Sequence, residues 1–284
     1  MWKKLLSIRV WKRIYQERLG EPILYNIVSI FVLIFGNFVK KINYDLVPRQ
    51  PYAFGLSEAF RLAKEEQIDK VIIIEFGVAS GAGLFNLAYI SNKLSKIYNI
   101  DYEVLGFDTG KGMPEPIDYR DHPEHYMTGD FPSINLENAK LPKKTKIYYG
   151  DIEDTVKNIL EHLNKNVKIG FVSIDVDYYS STKKCLEIFN YNESNFFSTT
   201  PVYFDDVQNI DDNIYCGELL AIEEFNKINE NRKLSKMNNL RYLRIFKNAV
   251  WIDQMYYAHI LDSERRKPDS WKNNKIVKLY NPYL

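Results

Sequence analysis

Residues 71–90, VIIIEFGVASGAGLFNLAYI, decide how this chain folds. An apolar run ends in Glu75, a turn containing Gly77, Gly81 and Gly83 follows, and an apolar pattern with a different period then resumes. The first run predicts a strand buried on both faces, and the second predicts a helix. Glycine is favoured where the backbone adopts angles that other residues resist, or where a ligand lies against the main chain. The stretch therefore predicts a strand, a ligand-binding loop and a helix.

The alternation of strand and helix continues along the chain. Five strand-like segments follow one another: VIIIEF, YEVLGFD, KIYYGD, IGFVSIDVD and PVYFDDV. Helical patterns separate them, except that a long Pro-rich loop connects the second to the third. This order predicts a parallel sheet covered by helices on both faces. The last two apolar runs, LRYLRIF and VWIDQMYYAHILD, are joined by a short turn and predict an antiparallel pair. We therefore expect an α/β fold with a Rossmann-like, mostly parallel, seven-stranded sheet and an antiparallel C-terminal edge hairpin.

Charge and cysteine content exclude some classes of protein. The 284 residues include 38 basic and 37 acidic side chains, for a net charge of +1. This balance argues against a general nucleic-acid-binding surface, so no nucleic-acid partner is expected. Cys185 and Cys216 are far apart and form no CxxC motif, which favours a reduced, cytoplasmic protein.

The first 50 residues differ from the rest in charge. They hold nine Lys or Arg and three Asp or Glu, a net +6, so the remainder carries −5. Pro48 and Pro51 mark a boundary near residue 50. We therefore divide the chain into a helical appendage at residues 1–50 and a main domain at residues 51–284.

Residues 23–39 form an uncharged apolar stretch closed by Lys40 and Lys41. As a helix it would be about 25 Å long, shorter than the roughly 30 Å hydrocarbon core of a bilayer. The basic, Trp-bearing segment before it favours peripheral contact of residues 1–41 with anionic headgroups. Packing in a homo-oligomer interface and a membrane span are the alternatives. All three stay open at this point.

Acidic residues stand at the ends of the first three predicted strands. Glu75 closes the first, Asp108 the second, and Asp151 follows the third. In an open parallel sheet these ends line the ligand-binding edge, where a carboxylate can accept hydrogen bonds from ribose hydroxyls. The glycine spacing G-x-x-x-G-x-G differs from the G-x-G-x-x-G that admits a pyrophosphate. An acid-lined edge suits S-adenosyl-L-methionine, which carries a sulfonium and an ammonium and no phosphate.

Further carboxylates follow the next two strands. Asp175 and Asp177 end the fourth strand, and Asp205 and Asp206 end the fifth. Adjacent strand ends bring these groups together, and they would repel one another unless a pKa is raised or a divalent cation binds. Mg²⁺ prefers such oxygen ligands.

Six motifs in this order resemble class I S-adenosylmethionine-dependent methyltransferases, and most closely the macrocin O-methyltransferase-like (TylF-like) sugar O-methyltransferases. The resemblance covers roughly residues 70–230 and rests on EFGVASGAG, GFDTGKGMPEP, GDIEDTV, SIDVDYYSST, YFDDV and GELLAIEEF. It implies a methyltransferase fold and S-adenosyl-L-methionine as cofactor. It also implies that Asp175, Asp205 and Asp206 hold a metal ion and that Asp175 acts as general base.

The chain departs from the family pattern beside the predicted acceptor pocket. Gly110, Lys111 and Val207 replace family residues, and loop 118–132 is its own. The acceptor, a small molecule or a sugar unit, is therefore not specified. His122 and His125 in this loop provide an alternative base on a segment able to close as a lid.

The sequence thus predicts an S-adenosylmethionine-dependent, metal-assisted O-methyltransferase. The metal lowers the pKa of an acceptor hydroxyl, Asp175 takes its proton, and the oxygen attacks the sulfonium methyl. Two alternatives remain: a nicotinamide-dependent oxidoreductase on a Rossmann domain, and a catalytically silent cofactor-binding module.

Overall fold

A computed structural model gives the fold and describes residues 15–132, 136, 139–209, 212–271 and 280–281. Its strands are β1 Lys70–Phe76, β2 Asp101–Asp108, β3 Thr145–Tyr149, β4 Val167–Ile174, β5 Thr199–Phe204, β6 Arg232–Lys236 and β7 Met255–Ile260. They form one sheet in the order β3-β2-β1-β4-β5-β7-β6. β1 to β5 are parallel, and β7 runs antiparallel to both β5 and β6. The predicted fold class is confirmed.

Helices cover both faces of this sheet. They are α1 Ile23–Phe35, α2 Phe38–Asn43, α3 Gln50–Glu65, α4 Ala82–Tyr98, α5 Ile152–Thr155, α6 Tyr179–Leu186, α7 Gly217–Ile228, α8 Leu240–Leu243 and α9 Pro268–Trp271. Alternate β1 side chains enter different core clusters: Val71 and Ile73 pack with α3 and α4, and Ile72 and Ile74 pack with α5, α6 and α7. This two-sided burial explains why β1 is continuously apolar.

The antiparallel edge pair is present, but the predictions of its first strand and of a short connecting turn were wrong. Residues 240–246, LRYLRIF, form α8 and an irregular loop, and the strand that pairs with β7 is β6. The backbone N–H groups of Lys247 and Asn248 donate to Glu21 Oε1 from the N-terminal arm. Because a distant side chain satisfies these donors, the loop does not need a strand partner.

The N-terminal arm, residues 15–49, is bound to the domain by charged groups. Arg244 forms a buried ion pair with Asp45 at 2.6 Å and donates to the carbonyl of Ile42 at 2.9 Å. Arg18 donates to the carbonyls of Tyr44 and Asp45. α3 begins at Gln50, so the division predicted near residue 50 falls at the start of a helix that packs on the sheet.

α1 has an apolar outer face. Its buried residue is Ser29, 7% exposed, whereas its large apolar side chains reach exposures such as 76% for Ile23 and 80% for Phe35. Among the helices in the described ranges, none combines the length and apolarity needed to cross a bilayer.

Candidate functional site

The glycine loop after β1 has no room for a side chain at Gly77 or Gly83. A Cβ on Gly77 would lie 1.8 Å from the carbonyl oxygen of Asp175, and Gly77 has φ +82°. A Cβ on Gly83 would lie 1.9 Å from Glu75 Oε1. Gly81 stands before α4 with φ +79°. The predicted need for unusual backbone angles is met at Gly77 and Gly81. At Gly77 and Gly83 the atoms that exclude a Cβ belong to the protein itself and not to a ligand.

Asp108, at the end of β2, organises this loop. Its Oδ2 accepts the N–H groups of Val78 and Ala79, each at 2.8 Å, and its Oδ1 accepts the N–H of Gly110 at 2.7 Å. The carboxylate also lines the cavity that the loop encloses. Asp108 is thus placed where sequence reasoning put it, and it has a second role in holding the loop.

Glu75 is buried beneath the same loop, with 2% of its surface exposed. Its Oε1 accepts a hydrogen bond from the Tyr52 hydroxyl at 2.9 Å, and Ser173 Oγ donates to that hydroxyl at 3.0 Å. Its Oε2 has no hydrogen-bond partner among the described residues. Burial raises the pKa of Glu75 to about 8, although the Tyr52 hydrogen bond and the charge of Arg49 lower it.

Of the predicted cofactor residues, Gly81 does not line the cavity, and neither does Asp151. Its Oδ1 accepts the N–H of Glu153 at 2.9 Å and caps α5, and its carboxylate pairs with Lys184 at 2.9 Å. The prediction that Asp151 binds the cofactor therefore gives way to a helix-capping role.

The structure brings the predicted metal residues together. Asp175, Asp205 and Asp206 each offer a carboxylate oxygen, and these three oxygens lie within 4.8 Å of one another. Asp175 directly follows β4, and the other two directly follow β5. Because β4 and β5 are adjacent parallel strands, their carboxyl ends meet at one edge of the sheet.

Burial and mutual repulsion raise the pKa values of this cluster. Burial is the largest cause for Asp175, whose pKa lies well above its usual value, followed by the charges of Asp205 and Asp177. Burial and the charge of Asp177 also raise the pKa of Asp206 to about 9. Glu218 has its pKa raised by burial and by Asp206, whose N–H it accepts at 3.0 Å. The cluster thus needs either protons or a cation.

A hard divalent cation fits this donor set. Three carboxylate oxygens converge, and Asp206 Oδ2 is buried with no hydrogen-bond partner in the described part of the chain. Asp205 is held from two sides: the Tyr203 hydroxyl donates to its Oδ1, and Gln254 Nε2 donates to its carbonyl at 2.7 Å. Oxygen ligands held in this way suit Mg²⁺.

These elements enclose a cavity of about 400 Å³ at the carboxyl edge of the sheet. Its volume lies in the range of small-molecule and cofactor sites. The glycine loop and the carboxylate cluster both border it, so a molecule inside touches both. Its acidic lining residues are Glu75, Asp108, Asp175, Asp177, Asp205 and Asp206.

A second cavity of about 290 Å³ adjoins the first. Tyr126, Asp177 and Asp206 line both cavities. The Tyr126 hydroxyl donates to Asp206 Oδ1 at 3.4 Å, so it lies between them. The other lining residues are largely polar: His122, His125, Asn209, Asp212, Asn213, Cys216, Gly217 and Leu219.

The two loop histidines lie at this second cavity. His122 is 8% exposed, and its Nδ1 lies 3.2 Å from Glu124 Oε1. The rings of His122 and His125 are 5.1 Å apart, and both side chains form a possible metal-binding group with Glu124. Neither histidine lines the first cavity, so the alternative base predicted here lies at the second cavity.

Several site residues were missed by sequence reasoning. Arg49 and Tyr52 reach the site from the start of α3, far from any strand end. Tyr126 comes from loop 118–132, which was predicted only as a lid. Glu218 had a sequence signal, because it is the second residue of the GELLAIEEF motif.

No family model matches the chain, and no curated protein matches its sequence. Similar solved structures include CalS11, a TDP-rhamnose 3'-O-methyltransferase of calicheamicin biosynthesis, at 19% identity, covering 75% of this chain and 88% of that chain with a TM-score of 0.40. The structure of CmcI with Mg and SAM is 16% identical, and the match covers 72% of this chain and 70% of that chain with a TM-score of 0.37.

A third similar structure is the O-methyltransferase TomG from Streptomyces achromogenes in complex with SAM. It is 13% identical and covers 73% of this chain and 79% of that chain, with a TM-score of 0.37. With TM-scores below 0.5, these likenesses carry no argument about the reaction.

Proposed function

We propose that this protein is an S-adenosylmethionine-dependent, divalent-metal-assisted O-methyltransferase that acts on a hydroxyl of a small molecule or sugar unit. The observation that carries the proposal is one cavity bordered both by the glycine loop after β1, which lines it with Gly77 and Gly83, and by the cluster of Asp175, Asp205 and Asp206. The first feature suits a nucleoside cofactor, and the second suits activation of a hydroxyl.

The charge of the cavity favours a cationic cofactor. Six carboxylic acids and one basic side chain line it among the described residues, so the phosphates of a nicotinamide dinucleotide would find few cationic partners there. S-adenosylmethionine presents a sulfonium and an ammonium to the same wall. Asp108, at the end of β2, is placed to accept hydrogen bonds from the ribose hydroxyls.

The second cavity favours an acceptor that enters from the side of loop 118–132. It meets the first at Tyr126, Asp177 and Asp206, next to the proposed metal ligands. Its histidine, amide and carboxyl side chains suit a polar molecule with several hydrogen-bonding groups. A hydroxyl entering here reaches the boundary between the cavities.

The residues divide the reaction between them. Asp175, Asp205 and Asp206 would hold Mg²⁺, which would supply, when bound, a lowered pKa for the acceptor hydroxyl. Asp175 lines the cavity within this cluster, where it would take the hydroxyl proton. The acceptor oxygen then forms a bond to the sulfonium methyl as the thioether leaves. Glu75, Asp108 and the glycine loop hold the cofactor so that these groups stay aligned.

Calorimetric titration tests the cofactor assignment. We expect the protein to bind S-adenosylmethionine and not NAD(H), and Asp108→Asn to weaken binding about tenfold or more by loosening the glycine loop. Asp151→Asn is the matched control, because this carboxylate lies outside the cavity and its loss leaves binding unchanged. Binding of NAD(H) instead would favour the oxidoreductase alternative.

Activity measurements test the chemistry. With an acceptor found by screening, transfer is expected to require Mg²⁺, to stop with EDTA, and to be lost in Asp175→Asn while cofactor binding persists. If Asp175→Asn keeps full biological function, the protein is a catalytically silent cofactor-binding module.

We also propose that the enzyme works against an anionic membrane surface, which α1 contacts with its outer face. Nine large apolar side chains of this helix are exposed, and its inward positions include Asn26 and Ser29. The Asn26 amide donates to the carbonyl of Arg18, and Ser29 donates to the carbonyl of Tyr25. The helix thus presents its apolar side to the surroundings, which is the arrangement of an interfacial helix.

Charge complementarity favours a lipid surface over a second copy of the chain. α1 is uncharged, five Lys or Arg and no acid precede it in residues 1–13, and Lys40 and Lys41 follow it. Anionic headgroups attract such flanking charges, whereas a symmetric dimer formed through α1 would bring two cationic segments toward each other.

Vesicle flotation tests this location. We expect binding to vesicles of phosphatidylcholine with phosphatidylglycerol and little binding to phosphatidylcholine alone. Ile34→Asp should lower the bound fraction about tenfold or more, because burial of an isoleucine contributes about 1.5–3 kcal/mol. Ile228→Asp is the control, since Ile228 is 75% exposed on α7, which packs against the other face of the sheet.

Two results would contradict the membrane proposal. Equal binding of wild type and Ile34→Asp to anionic vesicles would show that α1 is not the contact. Absence of vesicle binding together with a dimer that Ile34→Asp dissociates, measured by light scattering, would identify a second copy as the partner of α1.

A further inference from the structure

Arg49 is the only basic side chain among the described residues that line the 400 Å³ cavity. Its guanidinium carbon lies 5.2 Å from the centre of the Tyr52 ring. Within the described part of the chain, no carboxylate lies close enough to form an ion pair with it. The guanidinium therefore lies at the cavity with its hydrogen-bond donors available to a ligand.

The backbone at Arg49 has an uncommon conformation. Its φ of +52° and ψ of +68° are left-handed, and it stands immediately before α3. A non-glycine residue in this region costs about 1–3 kcal/mol and persists where the surroundings hold it. The carbonyl of Arg49 accepts the N–H of Ala53 at 3.1 Å, so the first turn of α3 fixes this geometry.

The position of Arg49 along the sheet edge is known from its neighbours. Its charge acts on Glu75 at the end of β1 and on Asp175 at the end of β4. Asp108 lies at the end of β2, on the far side of β1. Strands are about 4.8 Å apart, so β2 and β4 are separated by about 10 Å. Arg49 thus lies beside the ends of β1 and β4, whereas the proposed ribose site lies at the end of β2.

The chemistry of the proposed cofactor supplies a group for this position. S-adenosylmethionine carries one anionic group, the carboxylate of its methionine moiety, at the end opposite the adenosine. With the ribose at Asp108 and the methyl facing the metal cluster, the methionine moiety extends toward β1 and β4. A carboxylate among six acidic side chains needs a cationic partner, and the described cavity wall offers one.

We propose that Arg49 binds the carboxylate of the methionine moiety of S-adenosylmethionine. This role rests on the proposed function. The planar guanidinium matches a carboxylate with two parallel hydrogen bonds, a geometry that a lysine ammonium does not offer. Arg49 thereby distinguishes intact S-adenosylmethionine from adenosyl compounds that lack this carboxylate.

A purely structural role for Arg49 predicts a different result. As a counter-ion it would offset the charges of Glu75 and Asp175 whether or not a ligand is bound. Its removal would then weaken every adenosyl ligand to a similar extent and lower the melting temperature. A pair of ligands that differ only in the carboxylate separates the two roles.

Calorimetric titration with S-adenosylhomocysteine and its decarboxylated analogue, S-adenosyl-3-thiopropylamine, provides this test. We expect the wild type to bind S-adenosylhomocysteine about 10–100-fold more tightly, which is the effect of a hydrogen-bonded charged pair. Arg49→Gln should remove this preference by weakening only S-adenosylhomocysteine, and Arg49→Lys should restore part of it. Arg61→Gln is the control, because Arg61 lies on the same helix and pairs with Glu58 and Glu65.

Each outcome decides a separate point. Equal weakening of both ligands in Arg49→Gln, or no change in either, would overturn the role of Arg49 and leave the proposed function standing. Absence of binding of either adenosyl ligand to the wild type would overturn the proposed function and the role of Arg49 together. Circular dichroism and thermal melting of each variant identify those that fail to fold.

Discussion

Replacing Glu75 by Gln should change how the stability of the protein depends on pH. The substitution keeps the shape of the side chain and the acceptor for the Tyr52 hydroxyl, and it removes the ionisable group. Glu75 is buried, and its pKa is raised to about 8 from the ordinary 4.5, chiefly by that burial. The unpartnered Oε2 lies where the Gln amide nitrogen would go.

The direction of the effect follows from proton binding. Between pH 4.5 and 8 the native state holds a proton on Glu75 that the unfolded state has released, so the wild-type free energy of unfolding falls as the pH rises through this window. Below pH 4.5 Glu75 is protonated in both the native and the unfolded state, so the free energies of unfolding of wild type and variant differ by a constant amount. Each pH unit of the window corresponds to 1.36 kcal/mol, so ionisation costs the native wild type up to about 5 kcal/mol at pH 9.

Thermal melting at pH 5, 7 and 9, in EDTA and without cofactor, measures the effect. We expect Glu75→Gln to gain stability relative to the wild type as the pH rises, by about 10 °C at pH 9 for a chain of this size. Glu65→Gln, an exposed carboxylate on α3, should show no such trend. A stability difference that is the same at all three pH values, or that favours the wild type at pH 9, would refute the reasoning.

Two further predictions concern the glycine loop and the N-terminal arm. Gly83→Ala places a Cβ 1.9 Å from Glu75 Oε1. Titration should therefore show cofactor affinity lowered at least tenfold, and thermal melting should show a free energy of unfolding lowered by about 1–3 kcal/mol. Unchanged affinity would contradict the assigned crowding. Arg244→Met leaves Asp45 buried without its ion-pair partner. Urea unfolding should show a free energy of unfolding lowered by about 3–5 kcal/mol, and adding Asp45→Asn should restore part of it. A decrease below about 1 kcal/mol would contradict the importance of this ion pair.

The parts of the site that lie at strand ends could be predicted from the sequence. A parallel sheet aligns the carboxyl ends of its strands, so the acids that follow apolar runs are brought to one edge without knowledge of side-chain packing. Glu75, Asp108, Asp175, Asp205 and Asp206 all line one cavity for this reason. The glycines were predictable because glycine, which has no Cβ, is the residue that best tolerates close contacts and positive φ angles.

An acid at a strand end does not always line the cavity, as Asp151 shows. It follows β3 as Asp108 follows β2, but a helix begins at the next residue, and its carboxylate satisfies the free N–H of Glu153. Local capping and a strand-end ligand site use the same residue types at the same positions. Lys184, 33 residues further along, then holds the carboxylate at 2.9 Å from a position that the sequence pattern does not reveal.

Arg49 and Tyr52 depend on how α3 packs against the sheet, which hydrophobic periodicity does not encode. The Tyr52 ring packs edge-on against Phe171 and Tyr203, at 6.0 and 5.3 Å, and this contact carries its hydroxyl to Glu75. The chain that leads into Arg49 is itself fixed four residues earlier, where Asp45 pairs with Arg244. The cofactor cavity is thus completed by a segment that precedes the sheet in sequence, and its geometry depends on a buried ion pair with the loop before β7.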